Sequence, residues 1–115
     1  MNLKFSSRGV RLRVSLEEAR VLANRRQLAE LIAFPEQGIE IEIRVTNELC
    51  QPASFYFSQN KALAILRERE FLDLLKSRPA RDLSIQAELS CEESTMKFVF
   101  EIDLFSRKAT KEARV

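Results

Sequence analysis

Proton transfer near neutral pH most often falls to histidine, and this 115-residue chain has none. Serine–histidine and cysteine–histidine nucleophiles are therefore excluded within one chain. Carboxylates are the remaining acid–base groups. Glu40 and Glu42 share one face of the alternating run GIEIEIRV, and Glu88, Glu101 and Asp103 are expected on the same side of the sheet. Such a cluster could hold a divalent cation or pass protons. Against that stand Arg11, Arg13, Arg44 and Lys97, placed to pair with these acids across strands, so a solvated, mixed-charge sheet face is the stronger reading. Cys50 and Cys91 are two isolated thiols, short of the four ligands of a structural zinc site. SQNK, at Ser58 to Lys61, has the spacing of a Ser-x-x-Lys motif but none of its partner motifs, and reads as a helix cap and first turn. Gly9 and Gly38 are the only glycines, too few for a phosphate-binding loop. The chain is expected to be no enzyme and to carry no cofactor or metal.

The elements that must position these residues follow from hydrophobic periodicity. VRLRV alternates, with Val10, Leu12 and Val14 on one face and Arg11 and Arg13 on the other, as in a half-buried strand. Ser15 stands where a helix N-cap belongs, with Glu17 and Glu18 in the first turn. The apolar stripe Leu16, Ala19, Leu22, Ala23, Leu28, Leu31 and Ile32 predicts a helix running to Pro35 and Gly38. GIEIEIRV is the clearest strand, with Ile39, Ile41, Ile43 and Val45 on its apolar face. ASFYFS predicts a short strand with Phe55 and Phe57 inward and Tyr56 outward. A second helix is expected from a cap at Ser58 or Asn60 through Ala62, Ile65, Leu66, Phe71, Leu72, Leu74 and Leu75, closed by Lys76, Arg78 and Pro79. DLSIQAELS turns Leu83, Ile85, Ala87 and Leu89 inward. After the polar turn SCEES, MKFVFEIDLFS does the same with Met96, Phe98, Phe100, Ile102 and Leu104. NLKF at the start reads as a further short strand.

Laid over each other, the halves repeat strand–helix–strand at a spacing of about 43 residues, with Leu12 and Val14 falling on Phe55 and Phe57. Duplication and convergent patterning both fit. Two such units make a split βαβ arrangement with right-handed crossovers. The expected fold is α+β: a two-layer α/β sandwich, ferredoxin-like βαββαβ, with an additional C-terminal strand and a mostly antiparallel sheet. Residues 1–106 would form a single domain, and 107–115 a charged, frayed tail.

RLRVSLEEARVLA, with the E-x-x-x-F spacing of Glu30 to Phe34 and the later DLSIQAELSC, resembles a family of short, uncharacterised bacterial proteins. These open with a basic strand of the type R-L-R-L-T, pass into a helix with acidic residues at its start, and carry a late strand of the type L-x-I-L-V-E. The similarity covers about half the chain. The chain lacks the acidic–aromatic–cysteine run at that family's end, since Cys91 follows the strand directly. The resemblance implies a compact bacterial cytoplasmic domain and no activity.

Hydrophobic residues make up 45% of the chain and charged residues 31%, a globular balance able to bury a core without disulfide or metal. A net charge of +2 is too even to mark a dedicated nucleic-acid binder. MNLKFSSRG shows no signal-peptide pattern, and no apolar run reaches the roughly 20 residues of a membrane span, so a cytoplasmic protein with free thiols is expected. Stacked bases on the expected sheet face would meet five acids against four bases, which argues against RNA there. The leading expectation is a non-enzymatic protein-interaction or self-association module, a homodimer or a partner of another protein, because an open sheet has edges that invite pairing. The alternative is a small-ligand or nucleic-acid-binding regulatory module. Its nucleic-acid contacts would be Arg20, Arg25 and Arg26 on the first helix and Arg107, Lys108 and Lys111 in the tail.

Overall fold

A computed structural model describes residues 1–33, 38–76, 84–90 and 95–103. The chain is α+β, but two four-stranded mixed sheets replace the single ferredoxin-like sheet expected. The described elements are β1 (Asn2–Ser6), β2 (Gly9–Ser15), α1 (Leu16–Arg25), β3 (Gln27–Ala33) and β4 (Gly38–Thr46), then β5 (Ala53–Ser58), β6 (Lys61–Arg67), α2 (Glu68–Lys76), β7 (Ile85–Ser90) and β8 (Thr95–Asp103). Sheet A has the order β1-β2-β8-β7 and sheet B the order β3-β4-β6-β5. Their inward faces form one buried cluster, with Leu12, Val14, Phe98 and Phe100 from sheet A and Ile41, Ile43 and Leu66 from sheet B.

The departures have local causes. The capping box forms as expected: Ser15 Oγ accepts from Glu18 N, and Glu18 Oε1 accepts from Ser15 N. The helix nevertheless stops at Arg25, because Arg26 takes a left-handed conformation (φ 60°) and donates its N–H to the Leu22 carbonyl. Leu28 and Ile32, read as the helical stripe, instead alternate inward along β3. The second expected helix loses its first half in the same way. Ser58 and Lys61 are no cap and first turn but face each other across the β5–β6 turn, and KALAILR is strand β6. It buries Ala62, Ala64 and Leu66, and the helix starts only at Glu68. NLKF does form a strand, β1. Pro35, Arg78, Pro79, Leu83, Cys91, the rest of the turn through Ser94, Leu104 and the tail 107–115 lie outside the described residues.

The chain does repeat, though not at the spacing of 43. Each half runs strand–strand–helix–strand–strand. A shift of 52 positions carries β2 onto β6, and a shift of 57 carries β4 onto β8. The registers follow: the parallel pair Gly9 with Lys97 maps onto Lys61 with Glu40. The antiparallel pair Gln27 with Arg44 maps onto Ser84 and Glu101, in register with the observed ladder of β7 and β8. The two halves exchange hairpins, so each sheet takes one hairpin from each half. This is an approximate twofold relation within one chain. Both helices cap one end of the sandwich, where Phe71 packs on Phe100 and Arg26 is ion-paired with Glu68. The described hairpin turns, at residues 7–8 and 59–60, lie at the other end.

Candidate interaction surfaces

The carboxylates singled out from the sequence are split between the sheets. Glu40 and Glu42 are on the outer face of sheet B, while Glu88, Glu101 and Asp103 are on the outer face of sheet A. Glu42 is only 3% exposed. It accepts from Gln27 Nε2 at 2.9 Å and Arg44 Nε at 2.5 Å, and Lys61 Nζ lies 2.8 Å away. The Arg44 guanidinium, and then the Lys61 ammonium, hold its carboxyl below the usual carboxylate range despite the burial. The same contact raises both cations. This carboxylate ties β3, β4 and β6 together. On sheet A, Arg13 donates through Nε and Nη2 to Glu101 Oε1 at 3.1 and 2.9 Å, and Arg11 lies 3.7 Å from the same oxygen. Arg11, Arg13 and Arg44 therefore do pair with strand carboxylates. No group of three metal-ligating side chains occurs among the described residues.

The basic positions proposed for nucleic acid are dispersed. Arg20 and Arg25 are exposed on α1, where five residues turn the helix through about 140°. Arg26 lies past the helix end and is ion-paired with Glu68. Arg107, Lys108 and Lys111 are outside the described residues. Cys50 is an exposed free thiol.

Two surfaces stand out that the amino-acid pattern does not announce. The first is the outer edge of β3. Its inner neighbour is β4, and no described strand pairs with its other side. Leu31 is 68% exposed, and Glu30 is the only charge in QLAELIA. The corresponding edge in the other half, β7, lies alongside β5, whereas β1 makes no comparable approach to β3 among the described residues. The second is a cleft of about 380 Å³ at the turn end of sheet A, lined by Lys4, Phe5, Arg8, Gly9, Arg11 and Lys97 together with Ser6, Val10 and Val99. Beside it Phe5 is 53% exposed, and its ring rests on Phe57, itself 48% exposed. Each cleft cation is ordinary in its sequence context. Only the exchange of hairpins brings Lys97 beside Gly9.

Comparison with protein-family models, with curated proteins and with solved structures finds no match, so the geometry stands alone. No helix among the described residues is long and apolar enough to cross a membrane.

Proposed function

We propose that the chain is a non-enzymatic interaction module that associates with a second copy of itself through the edge of β3. The observation that carries this reading is that edge, with which no described strand pairs. A seven-residue edge strand without proline, lysine or arginine, whose outer N–H and C=O groups meet no partner strand among the described residues, is a template for a further strand. The side chains suit self-pairing. An antiparallel pair of β3 strands centred on Leu31 places Leu31 against its own counterpart, Glu30 against Ile32 and Ala29 against Ala33. That register avoids apposing two Glu30 carboxylates, which would repel. It would join the two copies of sheet B into one continuous sheet with twofold symmetry, the commonest form of homo-oligomer. The absence of histidine and the engagement of Glu42 by Gln27, Arg44 and Lys61 support a role without chemistry.

Light scattering after size exclusion tests the reading. The expected result is a dimer that persists at high salt, since the contact is apolar and main-chain, and that Leu31→Lys converts to a folded monomer. A monomer at all concentrations, or a dimer indifferent to Leu31→Lys, would overturn it.

A further inference from the structure

We propose that the cleft at the turn end of sheet A binds single-stranded nucleic acid, its phosphates held by Lys4, Arg8, Arg11 and Lys97 and a base resting on Phe5. This site lies on the other sheet from β3 and does not depend on self-association.

Four cations line the cleft and no carboxylate does. Lys4 and Arg11 are direct cross-strand partners, a like-charge pairing that destabilises a sheet unless something offsets it. Lys97 is the register partner of Gly9, whose missing Cβ lets the β8 backbone come close beside the cleft. Arg8 is tied to the same spot because its carbonyl accepts from Lys97 N at 3.0 Å. Lys4, Arg8 and Lys97 have no ion pair among the described residues. Glu101 is shared between Arg13 at 2.9 Å and Arg11 at 3.7 Å, and Asp103 lies beside Arg13, farther along β8. Glu88 is opposite Lys97 in register but does not line the cleft.

The molecule contains its own control. At the positions equivalent by the internal twofold, Lys4, Arg8, Arg11 and Lys97 are replaced by Tyr56, Asn60, Leu63 and Glu40. The backbone bond is kept, Glu40 N donating to the Asn60 carbonyl at 2.8 Å. The same fold is thus built in the other half with none of the four cations, so their convergence is not a structural requirement. Phe5 and Ser6, by contrast, recur as Phe57 and Ser58.

The cations identify an anion and the rings identify its other part. Phe5, on the edge strand β1, lines the cleft and is half exposed, while its ring, in register with the inward Val10, turns to the inter-sheet side and touches Phe57. Cations beside exposed aromatic faces bind a strand through its backbone and its bases without reading sequence. A ligand that reaches over the β1 edge from the cations to the Phe5 ring needs several linked nucleotides rather than one.

The test is fluorescence anisotropy of the full chain with a fluorescein-labelled ten-residue oligothymidylate, at low and high salt. Binding that weakens steeply with salt is expected. Arg8→Glu, at an exposed turn, and Lys97→Gln should each weaken it about tenfold or more and flatten the salt slope by roughly one unit for each phosphate set free. Phe5→Ala should weaken it about fivefold or more with the slope unchanged. Arg20→Glu, the same charge change on α1, should have no effect. No binding at low salt would overturn the proposal. So would equal losses from Arg8→Glu and Arg20→Glu, or competition by thymidine monophosphate at the same concentration as unlabelled oligonucleotide.

Discussion

Phe5 and Phe57 meet edge to face, ring centroids 5.4 Å apart, and they are the same position in the two halves of the chain. A contact between equivalent residues sits on the axis that relates them. It closes the turn end of the sandwich with two half-exposed rings. Each of Phe5→Ala and Phe57→Ala should cost about 1 kcal/mol, and a double-mutant cycle should return a coupling of about 0.5–1.5 kcal/mol. Additive losses in urea unfolding would show that the rings are neighbours without being partners.

Glu42 should be a structural residue. Glu42→Gln keeps the shape but removes the charge that Arg44 and Lys61 share. Because both cations remain accessible to water, the loss should be about 1–2 kcal/mol rather than the larger cost of stranding buried charge. Urea denaturation measures it, and the dimer should survive.

Acid should unfold the chain in a defined window. The Arg67 guanidinium draws the Glu70 carboxyl down to about 2, and Glu42 is lowered by Arg44 and Lys61. Groups whose folded pKa is depressed stabilise the fold above their unfolded value, near 4, and that stabilisation is lost as pH falls through the folded value. With no histidine to titrate, Tm should be nearly level from pH 8 to about 5 and decline from there toward 2. Glu70→Gln should lower Tm at pH 7 and shallow the decline.

Gly9→Ala should be among the most damaging single changes. A Cβ there would lie 1.9 Å from the Lys97 carbonyl oxygen, so β2 and β8 could not keep their spacing. The loss should exceed about 3 kcal/mol, within the range of severe core lesions, and soluble yield with far-UV circular dichroism will show it. Gly38→Ala, whose nearest neighbour is the Leu31 side chain at 3.0 Å, should be far milder.

What could be read from the sequence was what obeys a single period. GIEIEIRV gave β4, VRLRV gave β2, and Ser15 with Glu18 gave the start of α1. The failures share one cause. Leu28, Leu31 and Ile32 fit a helical stripe as well as they fit a strand, and the break at Arg26 is made by an arginine in a conformation usually signalled by glycine or asparagine. KALAIL is apolar on both faces, with Leu63 and Ile65 outward, so it has no strand period, and its alanines favour helix. Gln59 likewise turns the β5–β6 hairpin with a positive φ where asparagine or glycine would have announced it. The cleft could not be read at all, since Lys4, Arg8 and Arg11 come together with Lys97 only through a parallel pairing of distant strands.

That pairing bears on how the chain emerges from a ribosome. Sheet B is complete once residue 67 is free, but Gly9 must wait for Lys97. Throughout that interval the β1–β2 hairpin holds one side of its eventual sheet vacant, and Val10, Leu12 and Val14 lack Phe98 and Phe100 beside them. Closing so long a loop is slow compared with local pairing. Two chains made side by side could each supply the other's missing hairpin, giving an entangled pair with every native strand contact satisfied. The ladder of β2 and β8 is thus the pairing for which the order of synthesis matters most.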